Sequence, residues 1–115
     1  MPWKVDTTEE YDDWFLEQGD DGQASIQTKV ETLKVYGPNL PRPHADTLKG
    51  SKLNNLKELR TQTTDHVFRI AFLFDEERKA ILLIGGDKKG KNEKQFYKNL
   101  IKQAEKIYQK YRNIH

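Results

Sequence analysis

Hydrophobic side chains recur at every second position from Phe68 to Phe74, where the chain reads Phe-Arg-Ile-Ala-Phe-Leu-Phe. This period of two is typical of a β-strand with one buried face, and it places Arg69 on the other face. We predict three strands, at about residues 54–61, 66–75 and 79–85. The polar turn at 75–78 indicates that the last two form an antiparallel hairpin. The unbroken apolar run at 80–84 predicts an interior strand with both faces covered.

Helical spacing dominates the rest of the chain. Tyr11, Trp14 and Phe15 are spaced as one face of a helix, and Thr7 with Glu10 has the form of a capping box before it. After a break at residues 19–22, a second amphipathic helix is predicted to end near residues 37–38. A third, at about 92–111, has its apolar side formed by Phe96, Leu100, Ala104, Ile107 and Tyr111.

These elements predict one α+β domain over residues 1–115, in the order β-α-α-β-β-β-α, with a small, mainly antiparallel sheet. The first strand is the β-prone segment at 3–6. The proline-containing segment 38–52 is expected to be an irregular connection.

Composition narrows the chemistry that this domain can perform. With 35% hydrophobic and 33% charged residues, the chain is typical of a globular protein. It contains no cysteine, which excludes disulfides, thiolate metal sites and a cysteine nucleophile. Three scattered histidines have no metal-ligand spacing, so we predict neither a metal nor a cofactor. We expect a cytoplasmic location and no membrane partner, because neither a membrane-spanning run nor a signal peptide is evident.

Charge is distributed unevenly along the chain. Residues 1–35 contain nine acidic residues and three lysines, a net charge of −6, whereas residues 36–115 carry a net charge of +8. A basic C-terminal two-thirds is the pattern expected of a protein that binds a phosphate backbone. A solvated lysine-rich surface is the alternative interpretation.

Several polar side chains are predicted to converge on the second face of the sheet. Glu58 and Arg60 share a face of their strand, and they come beside Arg69 if the two strands pair. The loop after the next strand adds Lys88 and Lys89, and the last helix adds Tyr97. Such a set fits RNA cleavage by the 2′-hydroxyl, which needs proton transfer and stabilisation of the phosphate charge. A cross-strand salt bridge is the structural alternative for Glu58 and Arg60.

The region from Arg42 to Tyr97 resembles the phage-derived Gp49-like, HigB-type branch of the RelE/ParE toxin superfamily. The motifs that carry this resemblance are RPHADTLKGSKLNNLKELR, VFRIAFLFD, ILLIGGDKKGK and QFY. It implies a RelE-like fold and the toxin of a type II toxin–antitoxin pair. It further implies a metal-independent endoribonuclease that cleaves mRNA on the ribosome and pairs with a helix-turn-helix antitoxin, in complexes with more than one copy of each protein.

The resemblance also assigns residues. Arg69 matches the arginine that contacts the scissile phosphate, Tyr97 the tyrosine that acts on the reacting nucleotide, and Lys88 the basic residue that serves the leaving group. Glu58 is the candidate base. The candidate RNA-binding residues are His44, Lys52, Lys57, Arg60, Lys89 and Lys91.

Two alternatives remain within the same superfamily. A ParE-like protein would inhibit DNA gyrase without catalysis, although such relatives generally lack a full catalytic set. A phage-derived binding protein with decayed toxicity is the other.

Overall fold

The computed structural model describes residues 2–115. Its elements, in chain order, are β1 (Val5–Thr7), α1 (Glu9–Leu16), α2 (Asp20–Tyr36), β2 (Ala45–Thr47), β3 (Lys57–Gln62), β4 (Val67–Phe74), β5 (Ala80–Asp87) and α3 (Glu93–Ile114). A single 3₁₀ turn at Gly37–Asn39 follows α2. In the described part of the chain, no helix has both the length and the apolar character needed to cross a membrane.

The five strands form one sheet in the order β1-β5-β4-β3-β2. β1 runs parallel to β5, and every other neighbouring pair is antiparallel. The predicted hairpin of β4 and β5 is therefore confirmed, and β5 lies in the interior of the sheet, between β1 and β4. The predicted α+β class is confirmed as well.

One face of the sheet is a continuous apolar core beneath α1 and α2. Phe68, Ile70 and Phe72 project from β4 into this core and are fully buried, as their period of two predicts. Burial of each such side chain contributes roughly 1.5–3 kcal/mol relative to exposure. This face consequently has no room for polar chemistry along β4.

The other face of the sheet is only partly covered, by α3. The buried residues of this helix are Phe96, Leu100, Ala104, Ile107 and Tyr111, the side that the sequence predicted. They form a second core with Ala71 and Leu73 of β4. Arg69 precedes Ala71 by two residues on the same face, so it lies where this apolar layer ends and α3 begins.

The predicted capping box of Thr7 and Glu10 was wrong, because the helix is capped by the next residue. Thr8 is the N-cap of α1: its Oγ1 accepts a hydrogen bond from the amide of Tyr11 at 3.0 Å and donates one to the carbonyl of Leu83 at 2.7 Å. Thr7 belongs to β1 and pairs with Leu82. The parallel strand therefore extends to Thr7, which leaves its neighbour to cap the helix.

The segment 38–52, predicted to be irregular, contains the short strand β2. Its central residue, Asp46, pairs with Glu58 of β3. Three residues are too few for an alternating pattern to be recognised, and the strand is specified by its pairing with β3. The break predicted through residue 22 was also wrong, because α2 begins at Asp20. Gly22 is helical and allows close packing, since a Cβ there would lie 3.2 Å from the ring of Phe68.

Candidate functional site

A buried carboxylate forms the centre of the polar face. Glu58 of β3 is 3% exposed. Its Oε2 accepts hydrogen bonds from Arg60 Nη2 at 2.8 Å and Nε at 3.0 Å, while its Oε1 accepts one from Tyr97 Oη at 2.7 Å. Arg69 Nε lies 3.6 Å from the same Oε1. Because buried charges require partners, this carboxylate fixes two arginines and a tyrosine around itself.

Strand register explains why these side chains meet. Arg60 and Arg69 are direct partners across β3 and β4, so their side chains share one face of the sheet. Like charges at directly opposite positions repel each other. Glu58, two residues before Arg60 on that face, compensates both guanidinium groups.

The Arg69 side chain is held in place, but not all of its N–H donors make hydrogen bonds. Its side chain is 12% exposed. Nε donates to Tyr97 Oη at 3.2 Å, and Nη1 donates to the carbonyl of Phe68 at 3.0 Å. Within residues 2–115, Nη2 makes no hydrogen bond. A guanidinium fixed on one side with a free donor on the other is suited to binding an oxyanion such as phosphate.

The phenol of Tyr97 is kept protonated. Burial, together with the hydrogen bond to Glu58, raises the pKa of Tyr97 above its usual value, against a smaller opposing effect of Arg69. At neutral pH the Tyr97 side chain is therefore a neutral hydroxyl group, which can donate a proton, and not a phenolate.

Arg60 has a second carboxylate partner that the sequence did not predict. Asp46 Oδ2 lies 3.4 Å from Arg60 Nη2 and 2.8 Å from Arg42 Nη2. The hydrogen bond from Arg42 is the main reason that the pKa of Asp46 is lowered. The hydrogen bond to Glu58 is the main cause of the raised pKa of Arg60, which stays charged. The sequence places Arg42 four residues before Asp46. Only the pairing of β2 with β3, which the sequence did not predict, brings Asp46 to the face of the sheet that carries Glu58 and Arg60.

The basic loop after β5 reaches the same site through Lys88. Its Nζ lies 2.9 Å from Glu93 Oε1 and 5.5 Å from the centroid of the Tyr97 ring. The ion pair lowers the pKa of Glu93. Lys89 points away, with its Nζ donating to the carbonyl of Thr64 at 2.8 Å. Lys91 is exposed in the loop that precedes α3.

Like Lys89 and Lys91, three further predicted RNA-binding residues lie outside this cluster. Lys57 projects from the opposite face of β3, the face that it shares with Leu59. Lys52 lies near the far end of β4, where its amide donates to Glu105 of α3. His44 precedes β2, and its Nδ1 lies 2.7 Å from Lys29 Nζ of α2.

The structure thus brings together five predicted residues, which are Glu58, Arg60, Arg69, Lys88 and Tyr97. No group of three or more His, Asp or Glu side chains with metal-binding geometry occurs in residues 2–115. Chemically, the arrangement offers an anion-binding guanidinium, a tyrosine coupled to a carboxylate, and a nearby ammonium group.

Comparison with known proteins identifies relatives of this chain. The family model "Phage derived protein Gp49-like (DUF891)" matches residues 13–109, which include every residue of the cluster. "Putative toxin HigB3" of Mycobacterium tuberculosis is 44% identical over 88 residues, 76% of this chain and 75% of that protein. "Putative toxin HigB2" of the same organism is 42% identical over 81 residues, 69% of this chain and 39% of that protein.

Two solved structures have a similar fold. A mutant of the E. coli toxin RelE in the free state matches with a TM-score of 0.63 and 12% identity, covering 90% of this chain and 98% of RelE. The toxin–antitoxin complex RelBE2 of M. tuberculosis matches with a TM-score of 0.56 and 16% identity, over 76% of this chain and 99% of that one.

Proposed function

We propose that this chain is an endoribonuclease that cleaves mRNA, since it belongs to the family of phage-derived Gp49-like proteins and is a toxin of the HigB type. The observation that carries the proposal is the Arg69 guanidinium, which is fixed by Tyr97 and Phe68 and retains a free Nη2. Arginine binds phosphate through such fixed donors, and here a second arginine lies on the adjacent strand.

The reaction we propose uses the RNA's own 2′-hydroxyl as the nucleophile. A bond forms between the 2′-oxygen and phosphorus, and the bond from phosphorus to the 5′-oxygen breaks. Arg69 neutralises the charge that develops on the phosphate in the transition state. Because Arg69, Tyr97 and Lys88 lie close to one another at one face of the sheet, most of the proposed acceleration comes from orientation and electrostatics.

Proton transfer is assigned to the pair of Tyr97 and Glu58. Glu58 is too deeply buried to contact a 2′-hydroxyl directly, since both of its oxygens are occupied. In our proposal Tyr97 Oη takes the proton of the 2′-hydroxyl while its own proton moves 2.7 Å to Glu58 Oε1. This relay avoids a free phenolate, which the raised pKa of Tyr97 disfavours. Lys88, beside the Tyr97 ring, donates a proton to the leaving 5′-oxygen.

The partners follow from the same proposal. We propose that the substrate is mRNA on the ribosome, where ribosomal RNA contacts the basic surface around the site. We further propose that an antitoxin encoded beside this chain covers the Arg69 face, in line with the RelBE2 complex among the structures of similar fold.

The test is cleavage of mRNA in purified ribosomal complexes, with 5′ ends mapped. Arg69→Ala is expected to lower the cleavage rate about 10²–10³-fold, the usual effect of removing one transition-state donor. Arg112→Ala is the matched control, because Arg112 is an arginine of α3 outside the cluster, over the Tyr108 ring. Intact mRNA together with arrested DNA supercoiling would overturn the proposal in favour of a gyrase inhibitor.

A further inference from the structure

The carboxylate of Asp87, at the end of β5, accepts hydrogen bonds from two different segments of the chain. Its Oδ1 accepts from the backbone amides of Val67 at 2.9 Å and Lys89 at 3.0 Å. Its Oδ2 lies 2.6 Å from His66 Nδ1. Although burial acts in the opposite direction, these hydrogen bonds lower the pKa of Asp87, so the group is ionised at neutral pH. Asp87 therefore joins the start of β4 to the loop that follows β5.

The hydrogen bond from the Lys89 amide to Asp87 closes a turn around Lys88. An Asp side chain that accepts from the amide two residues later forms an Asx turn, which restricts the backbone of the residue between them. The Lys88 amide itself donates to the carbonyl of Val67 at 2.7 Å, and the Lys88 carbonyl accepts from the amide of Lys91 at 3.2 Å. Because its N–H and its C=O are both held, the Lys88 side chain leaves the backbone in a defined direction.

This direction brings Lys88 to the Arg69 site. Its Nζ lies 5.5 Å from the centroid of the Tyr97 ring. Val67, whose amide and carbonyl both take part in the turn, precedes Arg69 by two residues on the same face of β4. The proposed proton donor and the proposed phosphate-binding arginine consequently belong to one hydrogen-bonded frame.

His66 can hold the Asp87 carboxylate because the imidazole is itself fixed on two sides. Its ring stacks on that of Phe68, with centroids 5.1 Å apart and planes 18° from parallel. Its backbone amide donates to Thr63 Oγ1 at 3.1 Å, within the turn between β3 and β4. Rotation of the carboxylate away from the Lys89 amide would therefore also disturb the hydrogen bond with His66.

We propose that Asp87, held by His66, is a positioning residue of the cleavage reaction and directs the Lys88 ammonium group toward the leaving 5′-oxygen. Lys88 gives its proton to that oxygen as the bond from phosphorus to the 5′-oxygen breaks, and Asp87 neither contacts the RNA nor takes a proton. Without the turn, the long lysine side chain would sample many directions, and a misplaced group loses much of its catalytic effect. The inference rests on the proposed function, because it requires Lys88 to be the proton donor.

The hairpin of β4 and β5 contains a matched control at its other end. Asp75 Oδ1 also accepts two backbone amides, from Glu77 at 2.9 Å and from Lys79 at 3.0 Å. The five residues of the cluster all lie outside that turn. Asp75→Ala therefore removes the same kind of turn contact as Asp87→Ala and leaves Lys88 in place.

The experiment separates loss of the proton donor from other defects by changing the leaving group. Purified ribosomal complexes are loaded with mRNA that carries either oxygen or sulfur as the bridging 5′ atom, at the cleavage site mapped for the wild type. A thiolate is a much weaker base than an alkoxide and leaves without a proton, so the sulfur substrate makes a general acid unnecessary. Single-turnover cleavage rates are measured with both substrates.

The two substrates should give different results. With oxygen, Lys88→Ala is expected to slow cleavage about 10²-fold, and Asp87→Ala about tenfold, because the lysine remains but is misdirected. With sulfur, both variants should cleave within about twofold of the wild-type rate. The double variant should be no slower than Lys88→Ala alone, since Asp87 acts only through Lys88. Asp75→Ala should match the wild type with both substrates.

His66→Phe tests the same contact in a variant that keeps an aromatic ring against Phe68. It removes one hydrogen bond to Asp87, so we expect a loss of about threefold with oxygen and none with sulfur. Urea unfolding measures the folded fraction of each variant. If Asp87→Ala does not fold, His66→Phe decides the question.

Equal slowing with oxygen and sulfur in the folded variants of Asp87 and His66 would overturn the inference, because the defect would then lie outside the proton transfer. Full activity of these variants with oxygen would overturn it as well. In either case, rescue of Lys88→Ala by sulfur would leave the proposed function standing. A fully active Lys88→Ala, or one that sulfur does not rescue, would remove Lys88 as the proton donor and overturn the inference with it. Intact mRNA with the wild-type protein would overturn the proposed nuclease itself.

Discussion

Two tyrosines at opposite ends of α3 make the same hydrogen bond in different surroundings. Tyr97 donates to Glu58 at 2.7 Å, and Tyr111 donates to Asp6 at 2.6 Å. The side chain of Glu58 is 3% exposed, whereas that of Asp6 is 41% exposed. Two guanidinium groups flank the first carboxylate, and the second has a lysine, Lys79, at 4.0 Å.

This comparison shows that a hydrogen bond between a tyrosine and a carboxylate attaches a helix to a sheet but does not by itself create a functional site. Asp6 is partly solvated and needs little compensation. Glu58 is buried, so it holds Arg60 and Arg69 in fixed positions. Those arginines are then oriented before any phosphate arrives, which lowers the cost of organising the transition state.

The largest expected difference is between variants in which the carboxylate of Glu58 or that of Asp6 is replaced by a neutral amide. Glu58→Gln leaves the arginine pair without its negative charge, so we expect the free energy of unfolding to fall by about 1–3 kcal/mol. Cleavage should fall about 10²-fold, because the relay loses its proton acceptor. Asp6→Asn is expected to change the unfolding free energy by less than about 1 kcal/mol and to leave cleavage unchanged. Urea unfolding and the ribosomal cleavage assay measure the two quantities.

Equal activity in the Glu58→Gln and Asp6→Asn variants would show that Glu58 is a structural anchor like Asp6. It would remove the relay from the mechanism and leave the phosphate-binding role of Arg69 to be judged by its own substitution.

The next contrast removes one hydroxyl group at each end of α3. Tyr97→Phe is expected to lower cleavage about 10²-fold, since the ring remains but the proton relay is lost. Tyr111→Phe should retain full activity. Each variant should lose about 1 kcal/mol of stability, the typical net value of a hydrogen bond. Because Tyr97 and Glu58 act as one unit, a variant with both substitutions should be little slower than either alone.

A double variant whose losses multiply would contradict the relay. Full activity in Tyr97→Phe would assign to this side chain a packing or stacking role instead, since phenylalanine preserves both.

The smallest expected effect concerns pH. The hydrogen bond from Tyr111 is the main cause of the lowered pKa of Asp6. A pKa that is lower in the folded state stabilises the protein above the unfolded value of about 3.9, and this contribution is lost as the pH falls through the folded value. The stability difference between wild type and Tyr111→Phe should therefore shrink, by about 0.5 kcal/mol or less, between pH 5 and pH 2.5. A difference that grows on acidification, in unfolding curves recorded across this range, would contradict the assignment.

Much of the fold could be predicted from local patterns. The period of two in β4 identified both the buried face and the polar position of Arg69. The spacing of Phe96, Leu100 and Ala104 identified the buried side of α3. These patterns can be recognised because each element buries one face. Burial of one face requires an apolar residue at every second position of a strand or at every third to fourth position of a helix. β2 was missed because three residues are too short to carry a period.

Less of the site could be predicted. Sequence reasoning selected Arg69, Glu58 and Tyr97, which the structure brings together. It also selected Lys57, which lies on the other face, and it omitted Asp46, which binds Arg60. Periodicity assigns a residue to a face, but it does not say which strands become neighbours or where along them two side chains meet.

The amino-acid sequence alone was enough to predict the α+β class, the family resemblance and the placement of Arg69 on the face opposite the aromatic core. Tertiary structure decided which of the many charged residues form the site, through the pairing of Arg60 with Arg69 and the docking of Tyr97. It also decided that Asp87 joins the start of β4 to the loop that carries Lys88. Burial can be predicted because it recurs locally along the chain, whereas the convergence of charges depends on strand order and register.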